Sequence, residues 1–194
     1  MMKTRLPIFL LIVAAFTLSA FKVAPVNIKE KQKAVNVFQL SSADFRDNGI
    51  MPVELARKGV CGGKNISPSL QWINIPPGTK SFALLCIDLH PVASRWMHWM
   101  VINIPAGGNS IPSGASRRHM PRNSRELLNS FGEIGWGGPQ PPKGTGFHQY
   151  VFTLYALDVE KIAADIEDEE QFQAAIRGKV LGKATLTGLF QQQD

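Results

Sequence analysis

Cysteine is scarce, with only Cys61 and Cys86 among 194 residues. Two thiols make at most one bridge, which excludes a small fold stapled by a disulfide framework. Cys86 lies in an apolar run, where buried free thiols are common, and Cys61 lies beside Gly62 and Gly63. Whether the two are joined stays open at this level. Membrane-spanning runs are also lacking: the apolar stretch from Leu6 to Leu18 falls short of the ~20 residues a span needs. No internal repeat or low-complexity segment stands out, and the apolar and charged fractions are those of a globular chain. Charge of one sign is only modestly in excess. The formal balance is +6, and without Lys3 and Arg5 of residues 1–20 it is 19 basic against 15 acidic side chains, or +4. That is too little to argue for nucleic acid.

What is present begins with a targeting signal. Lys3 and Arg5 precede the apolar run, and the small residues Ser19 and Ala20 follow it. This order describes a secretory signal peptide over residues 1–20, and hence export to a periplasm or out of the cell. An uncleaved anchor is the alternative. No cysteine follows the run, so no thiol for a lipid anchor is offered there. Residues 21–33, with Lys22, Lys29, Lys31 and Lys33, read as a polar tether. Residues 34–194 then form one domain, with no stable membrane span left once the signal is removed.

Within that domain the periodicity is that of strands. Ala34–Leu40 alternates apolar and polar residues, Met51–Leu55 reads as a short strand, and Leu70–Ile73 as another. Ser81–Ile87 is almost continuously apolar, which fits a strand buried on both faces, and Trp99–Ile104 and Val151–Leu157 are similar. One helix is expected. Asp165 or Asp168 caps it, Phe172, Ala175 and Ile176 share its apolar face, and Gly178 stops it. Ala184–Phe190 completes the strand set. From Ala106 to Gly135 the chain is polar and irregular, with Arg117, Arg118, Arg122 and Arg125 close together. That segment reads either as a solvated loop or as a basic rim.

Asp88, His98, His148 and Tyr150 fall at the rims of these runs, beside turns rich in Pro and Gly. Two imidazoles, a phenol and a carboxylate supply N–H and O–H donors and one acceptor that fixes a tautomer. Such a set suits phosphate, sulfate or carboxylate. Histidine protonation near pH ~6.5 is expected to strengthen the capture. The bland alternative is that both histidines are structural. A nucleophilic triad through Ser67 or Ser81 is weaker, since neither occupies a Gly-x-Ser-x-Gly elbow. A zinc site from Asp88, His90, His98 and His148 lacks any His-x-x-x-His spacing. No catalytic residue, metal ligand or cofactor is assigned.

Three segments in order carry a family resemblance: Asn65–Trp72 (NISPSLQW), the spacing from Asp88 to His98-Trp99, and Gly138–Tyr150 (GPQPPKGTGFHQY). Together they resemble the phosphatidylethanolamine-binding protein family, in its bacterial Raf kinase inhibitor-like branch, over residues 35–190. The resemblance implies a β-rich α+β fold with a large antiparallel-rich central sheet, a smaller sheet and few peripheral helices. It also implies a pocket for phosphate-type groups such as phospholipid head groups, formed by Asp88, His98, His148 and Tyr150. Trp96, Gly138 and Pro139 would wall it and Phe190 would line it. Some members inhibit kinases or proteases, so a protein partner reached through the arginine segment is the second reading. Export weighs against a cytosolic kinase. Three departures stand out: Asp88-Leu89-His90-Pro91-Val92 replaces Asp-Pro-Asp-Ala-Pro, Gln149 stands where Arg is frequent, and Asp194 follows soon after Phe190, where animal members carry another helix. These imply an altered loop, a possible extra cation at His90, a lost bracing charge and a more open pocket. No feature specifies the oligomeric state.

Overall fold

A computed structural model describes residues 36–192, so the signal-peptide and tether readings, which fall on residues 1–33, lie outside the described residues. In chain order the strands are β1 (Gln39–Ser41), β2 (Gly49–Ile50), β3 (Leu70–Ile73), β4 (Ser81–Asp88), β5 (Trp96–Pro105), β6 (Ser110–Ile111), β7 (Arg125–Glu126), β8 (His148–Leu157) and β9 (Val180–Phe190). One α-helix, α1 (Glu169–Ile176), precedes β9, and short 3-10 turns occupy Val53–Leu55 and Pro91–Ala93. The strands form a six-stranded sheet, β2-β9-β8-β4-β5-β7, and a three-stranded sheet, β1-β3-β6. Among the described strands only β2, beside β9, runs parallel to its neighbour; the other pairs are antiparallel.

The arrangement follows from β4, whose eight residues are all buried. Side chains alternate across a strand, so an unbroken apolar run demands cover on both sides. Phe82, Leu84 and Cys86 join a core with Leu40, Leu70, Trp72 and Ile111 of the small sheet. Ala83, Leu85 and Ile87 join a second core with Ile162, Ile166 and α1 residues Phe172 and Ile176. The large sheet is therefore the middle layer. Each fully buried aliphatic or aromatic side chain contributes about 1.5–3 kcal/mol.

Two β-bulges in β5 decide how its side chains point. Phe82 faces Ile104, but Leu84 faces Val101, so Ile102 and Asn103 together oppose Ala83. Asn103 takes up the extra residue with φ 59°, and its amide clamps the 158–168 segment onto the sheet. Its Oδ1 accepts from Ile162 N at 2.7 Å and its Nδ2 donates to Ile162 O at 3.3 Å. Further along, Cys86 faces Trp99 and Ile87 faces Met97, which leaves His98 as the inserted residue. Bulges re-aim side chains and recur beside functional sites.

Several expected boundaries shift for local reasons. Met51–Leu55 is not a strand: Pro52 supplies no ladder donor, and the chain turns at Val53–Leu55 after β2 ends at Ile50. The described part of Ala34–Leu40 becomes strand only from Gln39. The helix is capped by Asp168, not Asp165, its side chain accepting from Gln171 N at 2.8 Å, and Gly178 lies beyond its end with φ 75°. Cys61 is exposed and Cys86 buried, and both are free thiols. In the basic segment, Arg117 bridges Glu133 at 2.8 Å and the Arg125 guanidinium donates to Ala164 O. Two of its four arginines are thus engaged within the protein. No helix among the described residues is long and apolar enough to cross a membrane.

Replacing Asn103 by Ala leaves Ile162 without either hydrogen bond and puts a β-carbon residue without side-chain compensation at positive φ. The expected loss is about 2–4 kcal/mol in urea unfolding. A loss below ~0.5 kcal/mol would show that this clamp contributes nothing.

Candidate functional site

The register of three strands brings the predicted residues together. Asp88 ends β4, opposite Tyr150 of β8 on one side and Trp96 of β5 on the other. His148 is two residues before Tyr150 and so shares its face. His98 reaches the same face through its bulge: its ring and that of its neighbour Trp99 both pack on Trp136, at 6.2 and 5.7 Å. In a regular strand those neighbours would point to opposite sides. Asp88, Trp96, His98, His148 and Tyr150 together line a cavity of about 220 Å³.

The loop from Leu128 to Gly137 satisfies the backbone that the bulge disturbs. Met97 N donates to Ser130 Oγ at 2.9 Å, and Ser130 N donates to Met97 O at 2.9 Å. Buried Asn129 holds the loop in shape, its Oδ1 accepting from Phe131 N at 2.9 Å and its Nδ2 donating to Gly135 O at 2.9 Å. Gly137 then pairs with His98 twice. Its N–H donates to His98 O at 2.9 Å, and its carbonyl accepts from His98 Nδ1 at 2.5 Å. Only glycine fits there, since a Cβ would stand 2.6 Å from the Phe131 ring.

The electrostatics divide the two histidines. Asp88 Oδ2 accepts from His148 Nδ1 at 2.6 Å, and Oδ1 accepts from His90 N at 2.9 Å. His148 Nε2 lies 2.9 Å from Thr145 Oγ1, whose hydroxyl also bonds Pro142 O at 2.7 Å. Both nitrogens of His148 are therefore committed to the protein. His98 carries its proton on Nδ1, leaving Nε2 as an acceptor in the neutral ring. Burial holds its pKa down to about 4, against the opposing pull of the Gly137 carbonyl and the Asp88 charge. The expectation of two imidazole N–H donors that charge near pH ~6.5 is thus corrected for His98. Tyr150 Oη is buried with no hydrogen-bond partner, and burial, then the nearby Asp88 charge, pushes its ionisation well above the usual phenol range.

Three expected wall residues lie elsewhere. Gly138 and Pro139 bond an adjacent segment: Gly138 N donates to Asn65 Oδ1 at 2.7 Å, and Pro139 O accepts from Arg57 N at 3.1 Å. A Cβ on Gly138 would collide with the Leu55 carbonyl. Phe190 pairs with His148 from β9, one strand further from Asp88, and lines a separate groove. The cavity wall is instead completed by Gln140, Pro141 and Pro142 of the same Pro-rich stretch, by Val92 and Ala93, and by Phe131. Phe131 had one faint signal, a lone aromatic beside Gly132 in a polar loop. Arg57 stacks over it at 4.0 Å and bridges Glu133 at 2.8 Å.

The remaining readings find their residues occupied. His90 stacks on His148 at 3.9 Å while its Nδ1 accepts from Val92 N at 3.4 Å. The Gln149 side chain is exposed, facing away from its buried neighbours His148 and Tyr150. Ser67 Oγ accepts from Ser116 N at 3.1 Å and Ser81 Oγ donates to Val159 O at 2.6 Å, so neither serine addresses a histidine. Among the described residues no group of three or more His, Cys, Asp or Glu side chains converges as a metal site requires.

A two-sheet β-rich fold with a small, half-open cavity at one strand end, mainly apolar and carrying a few convergent polar groups, defines the class, and comparison with known proteins agrees. The family model described as phosphatidylethanolamine-binding protein matches residues 41–191. YbhB of Escherichia coli K12 is 40% identical over 131 residues, covering 66% of this chain and 82% of its own length. The crystal structure of Escherichia coli YbcL superposes with a TM-score of 0.73 at 34% identity, covering 79% of this chain and 98% of that one. The PEBP homologue CT736 of Chlamydia trachomatis gives 0.68 at 32% identity, covering 81% and 99%. The chain belongs to the phosphatidylethanolamine-binding protein family.

His98 makes folding sensitive to acid. Its folded value near 4 lies below the unfolded ~6.5, so its contribution is complete above pH ~6.5 and is lost as pH falls toward 4. The loss amounts to about 3 kcal/mol. Unfolding free energies measured from pH 7 to 4 should fall more steeply for the wild type than for His98→Gln by that amount. Parallel curves would contradict the buried neutral imidazole.

Proposed function

We propose that the protein is an exported binding protein whose cavity holds one small anionic group of phosphate type, such as occurs in phospholipid head groups. The observation that carries this reading is the Tyr150 hydroxyl: it is buried beside the Asp88 carboxylate, lines the cavity and makes no hydrogen bond of ordinary geometry among the described residues. A buried unpaired hydroxyl costs about 1–3 kcal/mol, which a ligand oxygen would recover. The size of the cavity supports a small group rather than a whole lipid. Export is supported by the order of charged, apolar and small residues over 1–20.

Binding without turnover is the simpler reading, since the nominated serines bond backbone groups away from both histidines. A role as a protein inhibitor through the arginine segment draws less support, because Arg117 and Arg125 already bond within the chain.

Tyr150→Phe tests the reading with two opposed effects. Thermal unfolding should be unchanged or slightly raised, because the deleted hydroxyl has no partner to lose. Affinity for inorganic phosphate, followed by NMR titration at pH 6, should fall about tenfold or more. Wild-type protein whose His98, His148 and Tyr150 signals do not move at millimolar phosphate contradicts the reading.

A further inference from the structure

The donors and acceptors left unpaired around the cavity are few. His98 lines it with Nδ1 already bonded to Gly137, so Nε2 is the ring nitrogen left to meet a ligand. Tyr150 contributes a free hydroxyl. Both ring nitrogens of His148 are already bonded, and among the described residues no Lys or Arg lines the cavity. Deep in the cavity a fully deprotonated oxyanion would therefore meet the Tyr150 hydroxyl, the His98 lone pair and the nearby Asp88 carboxylate, with the Trp96 indole N–H and the Gln140 amide left to its exposed rim. A lone pair facing an anionic oxygen repels it unless a proton stands between them.

We propose that the cavity selects the singly protonated form of a phosphate-type group, its P–O–H donating to His98 Nε2 and a second oxygen accepting from the Tyr150 hydroxyl. The inference rests on the anion reading above and narrows it to oxyacids that keep a proton near neutral pH. Inorganic phosphate and phosphomonoesters qualify. Sulfate and phosphodiesters have no proton to give and do not, so among phospholipid head groups the selection keeps those ending in a phosphomonoester and rejects the diesters.

The surrounding ionisable groups do not substitute for that proton. From β4 come Asp88, committed to His148 and the His90 N–H, and Cys86, whose thiol burial pushes up. From β8 come His148 and Tyr150, the latter kept neutral by burial. His90 stacks outside His148, its Nδ1 an acceptor. Arg57 stands behind Phe131, paired with Glu133, whose carboxyl that arginine and Arg117 hold down to about 2. Among the described residues the site is thus built without a free cation, and a site whose hydrogen bonds need a particular proton rejects analogues that lack it.

Isothermal titration of the wild-type protein with methyl phosphate, sulfate and dimethyl phosphate at pH 6, 7 and 8 tests this. Methyl phosphate loses its second proton near pH ~6, so its apparent affinity should fall about fiftyfold from pH 6 to 8. Sulfate and dimethyl phosphate should bind at least tenfold more weakly than methyl phosphate at pH 6. Sulfate binding as tightly as methyl phosphate, or all three gaining together as pH falls, would overturn the selection while leaving anion binding standing. No binding of any of the three would remove the anion reading itself.

Discussion

The bond from His98 Nδ1 to the Gly137 carbonyl joins the scaffold to its chemistry. It exists because β5 carries one residue too many opposite Cys86 and Ile87, which turns His98 toward the same core as Trp99. It persists because Gly137 lacks a Cβ and lies against Phe131, while Ser130 takes up both backbone groups of Met97. Burial then keeps the ring neutral. A neutral imidazole with one nitrogen committed has one defined role left, that of an acceptor at Nε2.

The second pair, Asp88 with His148, works differently. Both side chains are almost fully buried at 2.6 Å, and every nitrogen of the ring is used. A buried, fully hydrogen-bonded pair of this kind is costly to break from one side, because the partner left behind is stranded away from water. Its contribution is to fix the Asp88 carboxylate beside Tyr150, so that one cavity holds an acceptor, a donor and a compensated charge. The His90 departure from the family pattern lands on this pair, as a ring stacked on His148 with its backbone N–H bonded to Asp88.

Much of this was legible in the sequence because it is local. The apolar run Ser81–Ile87 implied a strand covered on both faces, and it is the centre of the large sheet. Asp88, His98, His148 and Tyr150 were placed at strand rims, and strand register does bring them to one cavity. What was not legible depends on partners across the sheet. A bulge is a count of two residues against one, so the His98 and Asn103 insertions are invisible until β4 and β5 are aligned. The same holds for Phe131, carried to the wall by a loop whose only local signals were polar residues and glycine. Gly138 and Pro139 lie in the right motif but are consumed by hydrogen bonds to Asn65 and Arg57. Phe190 is aligned with His148 yet one strand too far from Asp88.

The chemistry of the cavity depends on which nitrogen of His98 holds the proton, and nitrogen-15 NMR of the imidazole in ligand-free protein at pH 7 reads that directly. The two ring nitrogens should differ widely, with Nδ1 protonated and slow to exchange and Nε2 bare. A protonated Nε2, or a ring charged on both nitrogens at that pH, would contradict it.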